Sequence, residues 1–260
     1  MIKVITVNYK QEKYIQKLVD SLDDDVELYI VDNSGELIDK RYAKTTILDP
    51  AGNIGYLKGL VFGTKMIEIE DDDFLIWTNP DITFDERFFE ILKKNPGDKY
   101  DMLAPSIINS DGQDQNPNMV TQASRLRIAL YDLEYSSYIA FVAIRALKNF
   151  LKVLIGRNKI NKNNAIQRKK IFLGHGACMI FNGIFFSYSD DFDYDIFTWG
   201  EEAIIAYEVR KRGGKVLYDS SLTVYHEEGS ITSSIPNMQK YIITSNSYKI
   251  YRQYLRSTKH

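Results

Sequence analysis

The chain has 260 residues, 44% of them hydrophobic, which is enough to bury a substantial core in one large α/β domain. Its net charge of −2 excludes general coating of nucleic acid, because neutralising phosphates requires a surplus of Lys and Arg. Cys178 is the only cysteine, which excludes an intrachain disulfide and a metal cage of cysteine thiolates. Because the N-terminus also lacks a signal-peptide pattern, we expect a cytoplasmic protein with no nucleic-acid partner.

The first hundred residues alternate apolar strand patterns with helical patterns. Strands are predicted over residues 2–7, 26–31, 45–48 and 74–77, and helices over residues 12–22 and from the loop at 52–55 through Met66. This order predicts an α/β fold with a mostly parallel central sheet flanked by helices. Ligands of such sheets bind beyond the carboxyl ends of the strands. The polar residues expected to gather there are Asn8, Tyr9, Asp32, Asn33, Asn79 and Asp81.

Residues 120–170 form a basic segment, with eleven basic and two acidic residues. We predict that it is an inserted pair of helices. Within it, apolar residues recur at helical spacing while basic residues lie toward another face: Ile139, Val142, Ala146, Phe150, Val153 and Leu154 against Arg145, Lys148 and Lys152. Two interpretations stay open. Residues 138–170 lie on an anionic membrane, or the helices pack their apolar side on the core or on a second subunit of a homo-oligomer.

The chain returns to sheet-like patterns after this segment. Residues 172–181 are apolar like a strand, a helix is predicted from Glu201 to Arg212 because Gly213 and Gly214 end it, and short strands are predicted at 215–218 and 222–225. Residues 231–260 are expected to form a C-terminal helical extension. We therefore expect a single domain over residues 1–260, with the basic helical insertion at 120–170.

Several acidic residues could carry chemistry, but each also has a structural explanation. A divalent cation that holds a diphosphate is commonly bound by one or two carboxylates, and Asp81 follows a buried strand. An Asp in that position is more often a turn residue, and the same holds for Asp32. The pair Glu201-Glu202 would be favoured at a helix start by the helix dipole alone.

Five motifs, taken together and in order, are more specific. They are Thr6-Val7-Asn8-Tyr9, Ile30-Val31-Asp32-Asn33-Ser34, Gly52-Asn53-Ile54-Gly55-Tyr56, Asn79-Pro80-Asp81, and Trp199-Gly200-Glu201-Glu202 followed by His226. The chain in this respect resembles family 2 glycosyltransferases, and within them the rhamnosyltransferase-like branch of bacterial polysaccharide synthesis. The resemblance covers the first hundred residues and residues 171–230. It implies a GT-A fold and a nucleotide-diphospho-sugar donor.

The resemblance also implies roles at the donor side of the site. Tyr9 would pack near the base and Asp32 would bond to base or ribose, with Asn8, Asn53 and Gly55 close to the same nucleotide. Asn79-Pro80-Asp81 matches the family's metal motif in a shortened form, so Asp81 would bind a divalent cation, Mg or Mn. His226 would add a metal or phosphate contact, although a hydrogen-bonded histidine that closes a strand is an equal alternative.

At the acceptor side, the resemblance implies inverting transfer with Glu202 as general base. Glu201 would orient its neighbour or contact the acceptor, and His175 would line the acceptor side. Trp199 would stack on a sugar ring, unless it is a hydrophobic staple of the helix that follows. The expected acceptor is a glycan or lipid-linked glycan of a capsule or O-antigen, and the expected donor is dTDP-rhamnose or a UDP-sugar.

Two departures from the family pattern motivate an alternative. Asn79 stands at an acidic position, and Ser245-Asn246 stands where relatives carry Arg-Asn. A catalytically degenerate protein that binds nucleotide-sugar without turnover is therefore the alternative function. A sugar nucleotidyltransferase is less favoured, because the stretch after the first strand lacks a Gly-rich basic loop.

Overall fold

The computed structural model describes residues 1–94, 101–155, 168–186, 192, 194–228 and 237–256, with only the backbone for 152–155. The strands are β1 (Ile2–Asn8), β2 (Val26–Asp32), β3 (Thr45–Leu48), β4 (Phe74–Thr78), β5 (Ile82–Phe84), β6 (Met102–Asn109), β7 (Arg168–Ile171), β8 (Cys178–Asn182) and β9 (Val216–His226). The helices are α1 (Glu12–Asp20), α2 (Tyr56–Lys65), α3 (Phe88–Lys94), α4 (Arg125–Glu134), α5 (Tyr138–Ile155), α6 (Glu201–Lys211) and α7 (Asn237–Tyr251).

Within the described residues the strands form one nine-stranded sheet in the order β3-β2-β1-β4-β8-β6-β9-β5, with β7 also paired to β9. Strands β3, β2, β1 and β4 are parallel neighbours, and so are β6 and β9. Strand β8 runs antiparallel between β4 and β6, and β5 and β7 run antiparallel to β9. The predicted α/β fold with a mostly parallel central sheet flanked by helices is confirmed.

Two sequence predictions about strands differ from the structure. Residues 215–218 and 222–225 are not separate short strands, because β9 continues through Val216–His226. It contains a register shift, at which Pro105 of β6 pairs with Asp219 and the next residue, Ser106, pairs with Thr223. The Asp219 carboxylate accepts the Ser221 N–H at 3.0 Å and so supports the backbone at the shift. Residues 172–177 are a loop, whose Phe172 and Leu173 N–H groups bond to the carbonyl of Met119.

The sheet has a hydrophobic core on each side, because successive strand residues face opposite ways. In β1, Ile5 and Val7 belong to the core covered by α2, α6 and α7, while Ile2 and Val4 belong to the core covered by α1 and α3. The central strands β1, β4, β8 and β6 are buried on both faces, as expected of a sheet between two helical layers. Polar chemistry is therefore expected at the edge of the sheet where the strands end.

Helices α4 and α5 lie within the basic segment and pack against α7 through aromatic rings. The centroids of Tyr135 and Tyr248 are 4.7 Å apart, and those of Phe141 and Tyr241 are 5.5 Å apart. Arg145 and Lys148 of α5 both reach the buried carboxylate of Glu134.

The opposite, apolar face of α5 is open to solvent, with Ile139 81% and Phe150 60% exposed. One interpretation of the sequence was that the insertion packs its apolar side on the core. In the structure this apolar side of α5 faces solvent instead. None of the helices in the described ranges is long and apolar enough to cross a membrane.

Trp77 allows the packing of the core covered by α2, α6 and α7 to be tested. Its side chain is fully buried, its ring contacts Phe181, Phe186 and Phe192, and its indole N–H donates to the Thr64 hydroxyl at 3.0 Å. We expect Trp77→Ala to lower the free energy of unfolding by about 3–5 kcal/mol, because it removes buried area and leaves a cavity. Urea unfolding measures this. The exposed-site control Met66→Ala should change it by less than about 0.5 kcal/mol; equal effects of the two would contradict the packing.

Candidate active site

The candidate site lies along one edge of the sheet. Asn8 ends β1, Asp32 ends β2, Asp81 lies between β4 and β5, and His226 ends β9. The structure thus brings these four predicted residues to the same edge, where ligands of open α/β sheets bind. The acid pair Glu201-Glu202 reaches this edge separately, from the start of α6.

Asn8 and Asp32 form the polar base of the edge. The Asn8 amide donates to Asp32 at 2.9 Å and to the Ser34 hydroxyl at 3.1 Å, and the Leu37 N–H donates to Asp32 at 2.7 Å. Burial by itself raises the pKa of Asp32, but the hydrogen bonds from Leu37, Ser34 and Asn8 outweigh it and hold the pKa below its usual value. The carboxylate therefore organises the loop after β2. A direct bond from Asp32 to a nucleotide stays a prediction.

Asn33, which belongs to a motif but received no role from the sequence, joins two loops. Its amide donates to the Asn53 side chain and to the Gly55 carbonyl, each at 3.2 Å. Gly55 has φ 88°, and a Cβ there would lie 2.7 Å from the Phe197 carbonyl oxygen, so only glycine permits this close approach. Tyr9, just beyond β1, is 38% exposed and therefore open to a ligand.

Asp81 and His226 face each other because β5 pairs with β9, with Ile82 opposite His226. The distance from Asp81 Oδ1 to His226 Nε2 is 3.3 Å, and both side chains are largely buried. His226 Nδ1 lies 2.7 Å from Gln115 Oε1. The Gln115 amide nitrogen donates to Glu228, which turns the amide oxygen toward the imidazole. Nδ1 is therefore the donor, and Nε2 is left facing the carboxylate.

This pair fits a divalent cation. Either a proton on His226 Nε2 or a cation between Nε2 and the Asp81 carboxylate would make this close approach favourable. Adjacent ligands of an octahedral Mg²⁺, bound at about 2.1 Å, lie about 3 Å apart, close to the 3.3 Å found here. In the part of the chain that the structure describes, no group of three or more His, Cys, Asp or Glu residues could hold a metal. Asn79, which follows β4 at this edge, donates its backbone N–H to the Ala177 carbonyl.

Glu201 and Glu202 are neighbours in very different surroundings. Glu201 is buried, and within the described residues its Oε2 atom has no hydrogen-bond partner. Burial, and next the charge of Glu202, raise the pKa of Glu201 to about 8, so it is protonated at neutral pH. Glu202 is half-buried, and its Oε1 atom accepts the Gly176 N–H at 3.3 Å. The two carboxyl groups are thereby divided into a buried acid and an accessible one.

The turn before α6 has an unusual backbone. Trp199 has φ 63° and Gly200 has φ 92°, so two consecutive residues are left-handed. A Cβ on Gly200 would overlap the ring of Tyr251, which packs against this turn. A left-handed Trp is strained by about 1–3 kcal/mol, and such strain concentrates at functional sites.

The loop 174–177 connects the two halves of the site. The His175 ring centroid lies 6.0 Å from that of His226, while the next residue, Gly176, bonds to Glu202. His175 Nδ1 accepts the Ala177 N–H at 3.1 Å, and burial lowers the pKa of His175, so its ring is neutral with the proton on Nε2. The Tyr56 hydroxyl donates to the Gly176 carbonyl at 3.2 Å.

The sequence offered little signal for the supporting residues. Gln115 and Glu228 orient His226, Asn116 accepts the His175 N–H at 2.8 Å, and Tyr56 holds the loop. They lie far apart in sequence and form no motif. Gln115 and Asn116 come after β6, a strand that the sequence analysis did not predict, so no predicted element pointed to them.

Comparison with known proteins gives a match in structure but not in sequence. No protein-family model and no curated protein matches this chain. The crystal structure of GalNAc-T7 with UDP, GalNAc and Mn²⁺ matches with a TM-score of 0.56 and 13% identity over 93% of this chain, which spans 47% of the GalNAc-T7 chain. The crystal structure of A197 from STIV matches with a TM-score of 0.44 and 12% identity, over 88% of this chain and 87% of A197, a similarity too low to carry an argument.

The fold is therefore the GT-A fold of glycosyltransferases, as the five motifs implied. Membership of family 2 and of its rhamnosyltransferase-like branch stays a prediction.

The pKa of Glu201 makes stability depend on pH. In the unfolded chain this carboxyl ionises near 4.5, but in the folded protein only near 8. Rising pH across that window favours the unfolded state, so stability is lost. We expect Glu201→Gln to remove this loss: its Tm, measured by calorimetry, should rise relative to the unmodified protein from pH 4.5 to pH 8. The exposed control Glu36→Gln should show no such trend. If the difference in Tm between Glu201→Gln and the unmodified protein stayed constant over this pH range, the raised pKa of Glu201 would be contradicted.

Proposed function

We propose that this protein is an inverting glycosyltransferase that moves a sugar from a nucleotide-diphospho-sugar to an acceptor hydroxyl. The observation that carries the proposal is the Asp81–His226 pair, 3.3 Å apart, on the sheet edge that loop 174–177 joins to Glu202. The GT-A fold supports a transferase that uses a nucleotide-sugar, and the UDP and Mn²⁺ in the GalNAc-T7 structure are in keeping with such a donor and a divalent cation.

At the donor end, Asp81 and His226 would hold Mg or Mn. The cation would offset the negative charge that develops on the departing diphosphate, whose oxygens would complete its ligands. The hydrogen bonds among Asn8, Asp32, Asn33 and Asn53 keep the adjoining loops in place for the nucleotide. The exposed ring of Tyr9 would pack on the base.

At the acceptor end, Glu202 would remove the proton of the acceptor hydroxyl while its oxygen attacks the anomeric carbon. The new carbon–oxygen bond forms as the bond to the diphosphate breaks, and the nucleoside diphosphate leaves with the bonding electrons. Attack opposite the leaving group inverts the anomeric configuration. Because Glu201 is neutral, it places no second negative charge beside the base and can donate a hydrogen bond to Glu202 or the acceptor.

The donor and biological role follow from the motif resemblance. We propose dTDP-rhamnose or a UDP-sugar as donor, and a glycan or lipid-linked glycan of a bacterial capsule or O-antigen as acceptor. His175, whose Nδ1 accepts the Ala177 N–H, would contact the acceptor side. The competing function is nucleotide-sugar binding without turnover, and the observation that favours it is Asn79 at a position where an acidic residue would add a metal ligand.

Two substitutions separate binding from turnover. We expect Asp81→Asn to abolish the extra thermal stabilisation that Mn²⁺ gives with a nucleotide-sugar, because one metal ligand is lost. Glu202→Gln should keep that stabilisation but lower the transfer rate by about 10²–10⁴-fold, the usual contribution of a general base. Glu36→Gln is the control.

The outcomes distinguish the candidate functions. Mn²⁺-dependent binding that survives Asp81→Asn would refute the metal site. If the unmodified protein binds nucleotide-sugar but transfers no faster than the Glu202→Gln variant, the non-catalytic function is favoured.

We also propose that α4 and α5 place the protein on the cytoplasmic face of an anionic membrane. Their outer surface is apolar, and its members are Leu126, Leu130, Leu133, Ile139, Val142, Leu147, Phe150 and Leu151. An exposed apolar patch of this kind is typical of a docking surface. The surplus of basic residues in 120–170 favours an anionic bilayer as its occupant, because lipid headgroups supply the complementary charge.

The apolar outer face, rather than Arg145 and Lys148, should control membrane binding, since these two cations bond to Glu134. We expect the double substitution Ile139→Ser with Phe150→Ser to reduce flotation with phosphatidylserine vesicles at least about tenfold, because each residue buries several apolar carbons. The control is Ile38→Ser with Met66→Ser, which removes two exposed apolar side chains elsewhere. A dimer in sedimentation, lost in the first variant and without vesicle binding, would assign this face to a second copy instead.

A further inference from the structure

A cavity of about 330 Å³ opens beside the acid pair, between α5, the turn before α6, and α7. Its walls are formed by Tyr135, Arg145, Trp199, Lys240, Thr244 and Tyr251. Three aromatic rings and two cations thus face one space, and the described lining contains no carboxylate. The donor side of the site shares none of these residues.

The two cations are held close together by the fold. Arg145 lies over the ring of Phe141, 4.1 Å from its centroid, and Lys240 Nζ lies 5.8 Å from the ring centroid of Trp199. Burial, and next the charge of Arg145, lower the pKa of Lys240. Arg145 Nε also lies 3.5 Å from a carboxylate oxygen of Glu134. An anion between Arg145 and Lys240 would give the Arg145 guanidinium a second partner and would favour the charged form of Lys240.

The cavity adjoins the chemistry. Trp199 is two residues before Glu201, and Tyr251 packs on the intervening Gly200. The charge of Glu202 also contributes to the raised pKa of Tyr251, after burial and the interactions with Tyr135. A molecule in this cavity would therefore lie next to the proposed general base, on the acceptor side.

We infer that this cavity binds a phosphate or diphosphate group of the acceptor, so that the acceptor is a glycosyl phosphate or diphosphate. This inference rests on the proposed function. Arg145 and Lys240 supply charge-assisted hydrogen bonds to the phosphate oxygens. The rings of Trp199 and Tyr251 supply flat apolar walls for the attached sugar.

Trp199 provides a direct readout, since the chain has only two tryptophans and the other, Trp77, is buried. The probe is inorganic pyrophosphate in the presence of EDTA, which removes any metal from the donor side. We expect a saturable change in Trp199 fluorescence, absent in Trp199→Phe. Lys240→Ala and Arg145→Ala should each raise the Kd at least about tenfold, the effect of one lost charge-assisted bond.

Two controls locate the effect. Lys249→Ala removes an exposed lysine from the same helix and should leave the Kd unchanged. Asp81→Asn should also leave it unchanged, because the donor side does not contribute. A pyrophosphate affinity that is undetectable, or unchanged in both Lys240→Ala and Arg145→Ala, would overturn the inference.

A second binding experiment shows whether the phosphate belongs to a soluble or to a lipid-linked acceptor. Glucose 1-phosphate represents a soluble acceptor, and farnesyl diphosphate in phosphatidylcholine vesicles represents a lipid-linked one. Binding of either that weakens in Lys240→Ala supports the inference and names the source. If nucleotide-sugars with Mn²⁺ do not stabilise the protein while pyrophosphate still binds through Lys240, the proposed function fails and the anion site stands.

Discussion

The antiparallel insertion of β8 between β4 and β6 is the constraint on which the site depends. It sets Cys178 opposite Thr78, so the residues before β8 and those after β4 meet at one edge. The Ala177 carbonyl accepts both the Asn79 N–H and the Thr78 hydroxyl there. If β8 ran the other way, loop 174–177 would lie at the far end of the sheet. The proposed donor and acceptor halves would then have no common boundary.

Much of the framework was predictable because it follows from local patterns. Strands β1 to β4 were recognisable to within a residue from their apolar runs, whereas the three-residue strand β5 was not predicted. Strand β9 was divided in the prediction, because Ser220 and Ser221 resemble a turn. In the structure they lie within the register shift, and the residues on either side of them pair with β6. The outward apolar face of α5 was equally unpredictable. The spacing defines two faces, but the burial of Glu134 and the rings on α7 decide which one turns inward.

The same contrast between local sequence patterns and long-range contacts applies to the candidate site. Asp81, Glu202 and His226 were predicted because they belong to motifs, although taken singly each had an ordinary structural explanation. Gln115 and Glu228, which orient His226, are remote in sequence and carry no pattern. Glu201 could be named but not assigned a protonation state, because that depends on its burial. Residue types can thus suggest chemistry, while long-range contacts decide tautomer and charge.

In the proposed enzyme the two faces of helix α5 contact different partners. Arg145 lines the acceptor cavity on one face, and Ile139 and Phe150 on the other face would enter a bilayer. The thickness of one helix, about 10–12 Å, then separates the membrane surface from the anion site. An acceptor whose phosphate lies at the membrane surface would therefore have to leave that surface by about one helix diameter to reach Arg145.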